Sequence, residues 1–176
     1  MASGSIVGIT RFSVPGGAAG RGAYRFEESR AMWAAADALY RRVFAALGMP
    51  LAEGSRLDDG PAAEVWDRRL GIDVGLRTAS GRALTLQEKF LTTDFNTVTV
   101  EYMNDHDRGV PGDWFNERAL LYFVGYVNAA TGAWRRWIFL HWSNVVAETE
   151  MDGGLEWGLR VNGRDGARAS FRYIDM

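Results

Sequence analysis

The sequence predicts an α+β domain in which one long amphipathic helix precedes a succession of β-strands and a second, short helix lies between strands. Three observations carry this reading. Apolar residues recur at helical spacing over residues 25–47. Two apolar-rich runs over residues 64–78 and 82–91 flank Ala79-Ser80-Gly81, a turn sequence. Thr97-Val98-Thr99-Val100-Glu101-Tyr102 alternates with the two-residue period of a strand.

Each element has a local reason. Residues 1–23 are rich in Gly, Ser and Ala, and Ile6, Ile9, Phe12 and Val14 precede Pro15-Gly16-Gly17. This predicts an edge strand and a flexible loop ahead of a single domain spanning residues 24–176. In the helix, Met32, Ala35, Ala36, Leu39, Val43, Ala46 and Leu47 share one face. Glu27 and Glu28 stand in its first turn, where negative charge suits the helix dipole, and Gly48 and Pro50 end it. Glu28 lies one turn before Met32, so it points inward at the head of the apolar stripe, whereas Glu27 is solvated. Residues 49–63 read as a loop, and residues 103–113 as a second, polar one. A short helix over 114–121 leads into strands 122–127 and 134–142. Ser143 is positioned to cap a helical turn running to Glu148. Leu155–Val161 and Ala167–Ile174 form a last hairpin around Asn162-Gly163-Arg164-Asp165-Gly166.

Composition narrows the function. A chain of 176 residues with 47% hydrophobic residues is long enough for one domain with a real core. There is no cysteine, so disulfides, thiolate metal sites and cysteine nucleophiles are excluded. His106 and His141 are the only histidines, too few for a histidine cage, and both read as structural. No signal sequence and no membrane-length apolar run are visible, so a cytoplasmic protein is expected, or one of the host cytoplasm if viral. The net charge of −2 argues against binding nucleic acid by bulk charge. The pairs Arg41-Arg42, Arg68-Arg69 and Arg135-Arg136 could still group positive charge locally.

Lys89 is the only lysine, against nineteen arginines. Lysine is a compact charge whose pKa can be tuned, whereas arginine stays charged and forks its donors. A lysine kept in an arginine-biased chain therefore marks a place where arginine fails. The hairpin register gives it company. With Ala79-Ser80-Gly81 as a three-residue loop and Gly81 in the left-handed position, paired residues sum to 160. Asp73 then faces Gln87, and Lys89 points to the same side two residues on. Leu84, Leu86 and Phe90 fill the other face, and only Glu88 breaks the separation. A two-residue loop would instead pair Asp73 with Glu88 and turn Lys89 away.

Gly71-Ile72-Asp73 followed by Gln87-Glu88-Lys89 resembles the PD-(D/E)xK nucleases, the restriction-endonuclease-like superfamily, as a QxK variant. The resemblance covers residues 25–142 and implies a nuclease-like domain with a mixed central sheet flanked by helices in αβββαβ order, here with an extra C-terminal hairpin. It implies Asp73, Gln87, Lys89 and Glu28 as catalytic residues, with Asp73, Gln87 and Glu28 holding Mg2+ (or Mn2+). The order of acidic residues resembles archaeal-type Holliday junction resolvases. The activity implied is metal-dependent hydrolysis of DNA phosphodiesters by a homodimer. Two departures stand out: Gln87 replaces the family's acid, and the proline before the aspartate is absent.

In that chemistry a metal polarises the phosphate and activates water, and magnesium needs only one or two protein carboxylates. Lys89 orients the water or neutralises growing charge. A restriction or repair nuclease is the alternative, as is a nuclease-fold phage protein that binds DNA with little or no cutting. A β-rich small-molecule binder is a third. Glu101 reads as an exposed strand acid and Asp94 as a loop residue. Trp114, Trp134, Trp137 and Trp142 suit core packing or stacking on bases.

Overall fold

A helix set against a twisted sheet and a second sheet on the far side make three layers in the computed structural model. It describes residues 32–58, 61–93, 96–128, 130–162 and 168–175. The expected edge strand and loop over 1–23, Glu27 and Glu28 of the predicted first turn, and Asp94 lie outside these residues.

α1 spans Trp33–Ala46 and buries Ala36, Leu39, Tyr40 and Phe44, the spacing of a single helical face. Gly48, at φ 73°, ends it, as its sequence position anticipated. The chain then enters β1, Leu51–Arg56, where a loop was expected. Leu51-Ala52-Glu53-Gly54-Ser55-Arg56 lacks the β-branched alternation of a half-buried strand. It is an edge strand held by main-chain pairing, and Gly54 lets α1 approach. A Cβ on Gly54 would sit 3.1 Å from Asp37 Oδ1 and 3.1 Å from Leu76 Cδ2.

The run expected to be strand from residue 64 divides in two. Glu64–Arg69 is a π-helical turn with Glu64 and Asp67 in its first turn. Gly71, at φ 60°, reverses the chain, and β2 covers only Val74–Thr78. β3 is Ala83–Leu91. Its pairs with β2 (Val74↔Leu86, Gly75↔Thr85, Leu76↔Leu84, Arg77↔Ala83) have the register that the three-residue loop predicts. Gly81 has φ 86°.

β4, Thr97–Asp105, forms where the alternation placed a strand but joins a different sheet. After β5, Val110–Pro111, a four-residue helix, α2 (Asp113–Asn116), stands in place of the expected helix over 114–121. β6, Leu121–Val127, returns beside β3 in parallel, and β7, Trp134–His141, pairs antiparallel with β6. α3, Trp142–Glu150, follows directly. Ser143 does not cap it: its hydroxyl pairs with His141 Nδ1 at 3.1 Å, and the Trp142 N–H is taken by Leu120 O. β8, Gly158–Val161, and β9, Ser170–Asp175, pair antiparallel as expected of the last hairpin.

The central mixed sheet has strand order β1-β2-β3-β6-β7, and the second has β5-β4-β9-β8. α1 packs on one face of the central sheet, around Val74, Leu76, Leu86, Phe90, Phe123 and Val127. On the other face, Tyr122, Val124 and Tyr126 of β6 meet Val98 and Val100 of β4 with Trp142 and Val145 of α3. A mixed central sheet flanked by a helix is present, but the expected third strand, residues 97–102, lies in the second sheet, and β1, from a segment expected to be a loop, takes a place in the central one. The three leading strands of the central sheet are β1, β2 and β3, and the crossover to β6 passes through the second sheet.

Phe123 joins the helix to the sheet. Its fully buried ring lies 5.1 Å from Tyr40, 6.0 Å from Phe90 and 4.8 Å from Phe139. Truncation leaves a cavity that several rigid rings cannot close. Phe123→Ala is expected to lower stability by about 3–5 kcal/mol, read from urea unfolding at constant m-value; a change under 1 kcal/mol would show that this packing is not the support of the sheet.

Candidate functional site

Because β3 is interior and covered on both faces, its alternation sends polar groups into both cores. Leu84, Leu86, Glu88 and Phe90 are its buried positions, on the α1 side. The alternate positions, Gln87, Lys89 and Leu91, look toward the second sheet, where Leu91 packs with Tyr122 and Tyr126.

Asp73 closes the end of β2. Its N–H donates to Leu86 O at 3.0 Å, and its Oδ2 accepts the N–H of Glu88 at 2.8 Å. These bonds bracket Gln87, so Asp73 and Gln87 stand opposite each other, as the register anticipated. The side chain of Asp73 replaces the carbonyl that a longer β2 would offer to Glu88. Burial, and secondarily the charge of Glu88, raises the Asp73 pKa to about 8, against the lowering effect of the bond from Glu88 N–H.

Gln87 Oε1 is buried without a hydrogen-bond partner. Glu117 Oε2, from the segment between α2 and β6, is also buried and unpaired, while its Oε1 accepts the Ala119 N–H at 2.7 Å. Glu117 lies against the turn before Asp73: a Cβ on Gly71 would meet Glu117 Oε2 at 3.1 Å. Burial lifts Glu117 to about 9, and the nearby charges of Asp113 and Asp73 act in the same direction. Two acids with raised pKa values and two unpaired oxygens therefore lie near the starts of β2 and β6 and beside the middle of β3.

Lys89 is held further along. Its ammonium donates to Thr99 O at 3.2 Å and lies 5.4 Å from the centre of the Phe171 ring. Burial lowers its pKa, while Asp113 and Glu101 oppose that shift. Those two acids, rather than Asp73, are its charged neighbours. Glu101 is half-buried here, not an exposed strand acid, and its pKa is raised by burial. Tyr122, opposite Gln87 on β6, also donates to Thr99 O, at 3.3 Å.

Glu88 faces the other way. It accepts from Tyr40 Oη at 2.5 Å and from Arg56 Nη1 at 2.8 Å. Arg56 also grips Asp58 with two nitrogens and lies 5.6 Å from the centre of the Trp33 ring. A buried carboxylate needs such partners. Glu88 therefore does not take the place of Gln87.

The structure thus sets Asp73 beside Gln87, places Lys89 farther along on Gln87's side of the strand, and leaves Glu28 outside the described residues. Glu117 and Asp113 were missed by the sequence reading. Their spacing of four residues was the available signal, but it is equally that of a solvated helical face. Among the described residues, no group of three or more carboxylates or imidazoles is arranged to hold a metal ion. None of the described helices is long and apolar enough to cross a membrane.

Comparison with known proteins finds no matching family model, no matching curated protein and no matching solved structure.

Two outcomes follow. Glu88→Ala leaves the Arg56 guanidinium and the Tyr40 hydroxyl facing a gap and is expected to cost about 3–5 kcal/mol, measured by denaturant unfolding; a near-neutral result would mean the ion network is incidental. Asp73 and Glu117 bind their protons more tightly folded than unfolded, with ordinary values of 3.8 and 4.5 raised to about 8 and 9. Their contribution to stability is fully present below pH 4 and is lost as pH rises through 8 to 9. In chelator, the unfolding midpoint should fall over that window and Asp73→Asn should flatten the fall; an unchanged slope would contradict the assignment.

Proposed function

We propose that this protein is a metal-dependent DNA endonuclease of the PD-(D/E)xK type, with a restriction-endonuclease-like core and a QxK site. The observation that carries the reading is the unpaired, buried carbonyl oxygen of Gln87 directly opposite Asp73. An oxygen so placed forfeits its hydrogen bonds unless something binds it. The unpaired Oε2 of Glu117 beside the same turn adds a third oxygen donor.

All the donors are oxygen, which suits Mg2+ (or Mn2+), and a magnesium ion keeps several of its waters. Asp73, Gln87 and Glu117 would hold it, with Glu28, which the sequence resemblance implies as a ligand, as a further donor. When bound, the ion would polarise the phosphate and lower the pKa of water. Asp73 and Glu117 give up their protons on binding, which couples ion affinity to pH. Lys89 supplies the positive charge on the same side of β3 and balances charge developing on the phosphate. The substrate would be DNA and the acting form a homodimer, since two strands need two cuts. A branched, four-way junction is the first substrate to test, with restriction-type and repair-type targets next.

A second reading has its own observation. Lys89 is tied to Thr99 O and flanked by Glu101 and Asp113, away from Asp73. That favours a nuclease-fold protein that binds DNA without cutting it.

Labelled linear, nicked, forked and four-way DNA incubated with Mg2+ or with chelator separates the two. Cutting that needs the ion and falls by about a hundredfold or more in Lys89→Ala and in Asp73→Asn supports the enzyme. Metal-independent traces that survive both substitutions, or no cutting on any substrate, leave only the binding protein.

A further inference from the structure

A separate groove lies on the α1 side of the central sheet, between the last turns of α1 and β7. It encloses about 580 Å³, within the range of small-molecule sites. Its floor is aromatic: Phe44, Trp134, Trp137 and Phe139. Arg42, Arg135 and His141 also line it, and Arg42 is exposed. No Asp or Glu is among its lining residues, although the chain as a whole carries a net charge of −2. Arg136 also borders it, but its guanidinium lies over the Tyr126 ring, 4.4 Å from the centroid, on the opposite face.

From this we infer that the groove binds single-stranded nucleic acid, with a base laid against the indoles and its phosphate met by Arg42 and Arg135. Flat aromatic floors bind bases with little regard to sequence, and arginines beside them hold the backbone. The acid-free lining supplies the charge complementarity that the whole chain lacks. His141 is paired across from Leu121, and Leu121 across from Leu86, the neighbour of Gln87. His141 therefore shares a row of the sheet with Leu86, two strand spacings or about 10 Å away, but the groove is on the α1 face, whereas Gln87 faces the second sheet. This rests on the reading of DNA as the partner and deepens it. The unpaired arm of a branched substrate would pass round the edge strand β7 to reach the groove while the duplex lies at the acids on the other face.

Fluorescence anisotropy of a labelled single-stranded oligonucleotide on the full-length chain tests it, with plasmid nicking followed in parallel. Trp137→Ala should weaken oligonucleotide binding about tenfold. Arg42→Glu with Arg135→Glu should weaken it further and reduce its salt dependence. The exposed Arg42 guards against a folding artefact, because its substitution leaves the core intact. Wild-type binding in both variants overturns the inference, as does displacement by decanoate of a probe that no oligonucleotide displaces. Nicking that needs Lys89 while oligonucleotide binding ignores the groove would sink the groove and keep the enzyme. Groove-dependent binding without any nicking would do the reverse.

Discussion

β3 is an interior strand with both faces covered, and most of the structure's polar chemistry follows from that constraint. An edge strand could turn its charged residues to water. Here the side chains from Leu86 to Leu91 are covered from one side or the other, so Glu88 needs Tyr40 and Arg56 on one side while Lys89 needs Thr99 O, Glu101 and Asp113 on the other. Breaking a buried ion network by removing one member costs far more than the network contributes in net stability. The composition of β1, the approach of α1 and the placement of the second sheet can be read as the means by which Gln87-Glu88-Lys89 is accommodated within the protein.

The parts that sequence reading recovered are those set by local periodicity. The apolar stripe of α1, the alternation of β4, the apolar run of β6 and the turn Ala79-Ser80-Gly81 each encode their structure within a few residues. The last of these fixes the pairing of Asp73 with Gln87. What escaped was non-local. β1 has Gly54 and Glu53 where a strand usually shows branched residues, because its partner is the backbone of β2 and its neighbour is a helix. Residues 64–69 turn helically because two acids favour a helix start and Gly71 stops it. The alternation of β4 announced a strand but carried nothing about which sheet it joins.

The site follows the same division. Asp73, Gln87 and Lys89 were legible as one side of a hairpin because side-chain direction alternates strictly. The direction of the Lys89 ammonium toward Thr99 was not, since β4, although next in sequence, joins the other sheet and meets Lys89 only through tertiary folding. Glu88 looked anomalous in sequence, and its explanation lies in Arg56 and Tyr40, far along the chain. Glu117 depends on the reversal at Gly71 for its place beside Asp73. Groups whose role depends on two remote segments meeting leave no periodic trace.

The parallel pairing of β3 with β6 has a consequence for how the chain reaches its native state. Leu86 and Leu121 become neighbours only after the intervening segment has been looped out, and that segment contains β4, whose own partner β9 follows only after β6, β7, α3 and β8. Pairings of such long sequence separation carry their closure entropy before any contact rewards it. The β2–β3 hairpin can form early and alone, whereas the floor beneath Gln87 waits for the carboxyl-terminal strands. A growing chain that has not yet made β9 would hold β4 without that partner, so the second sheet completes only after β9 is made.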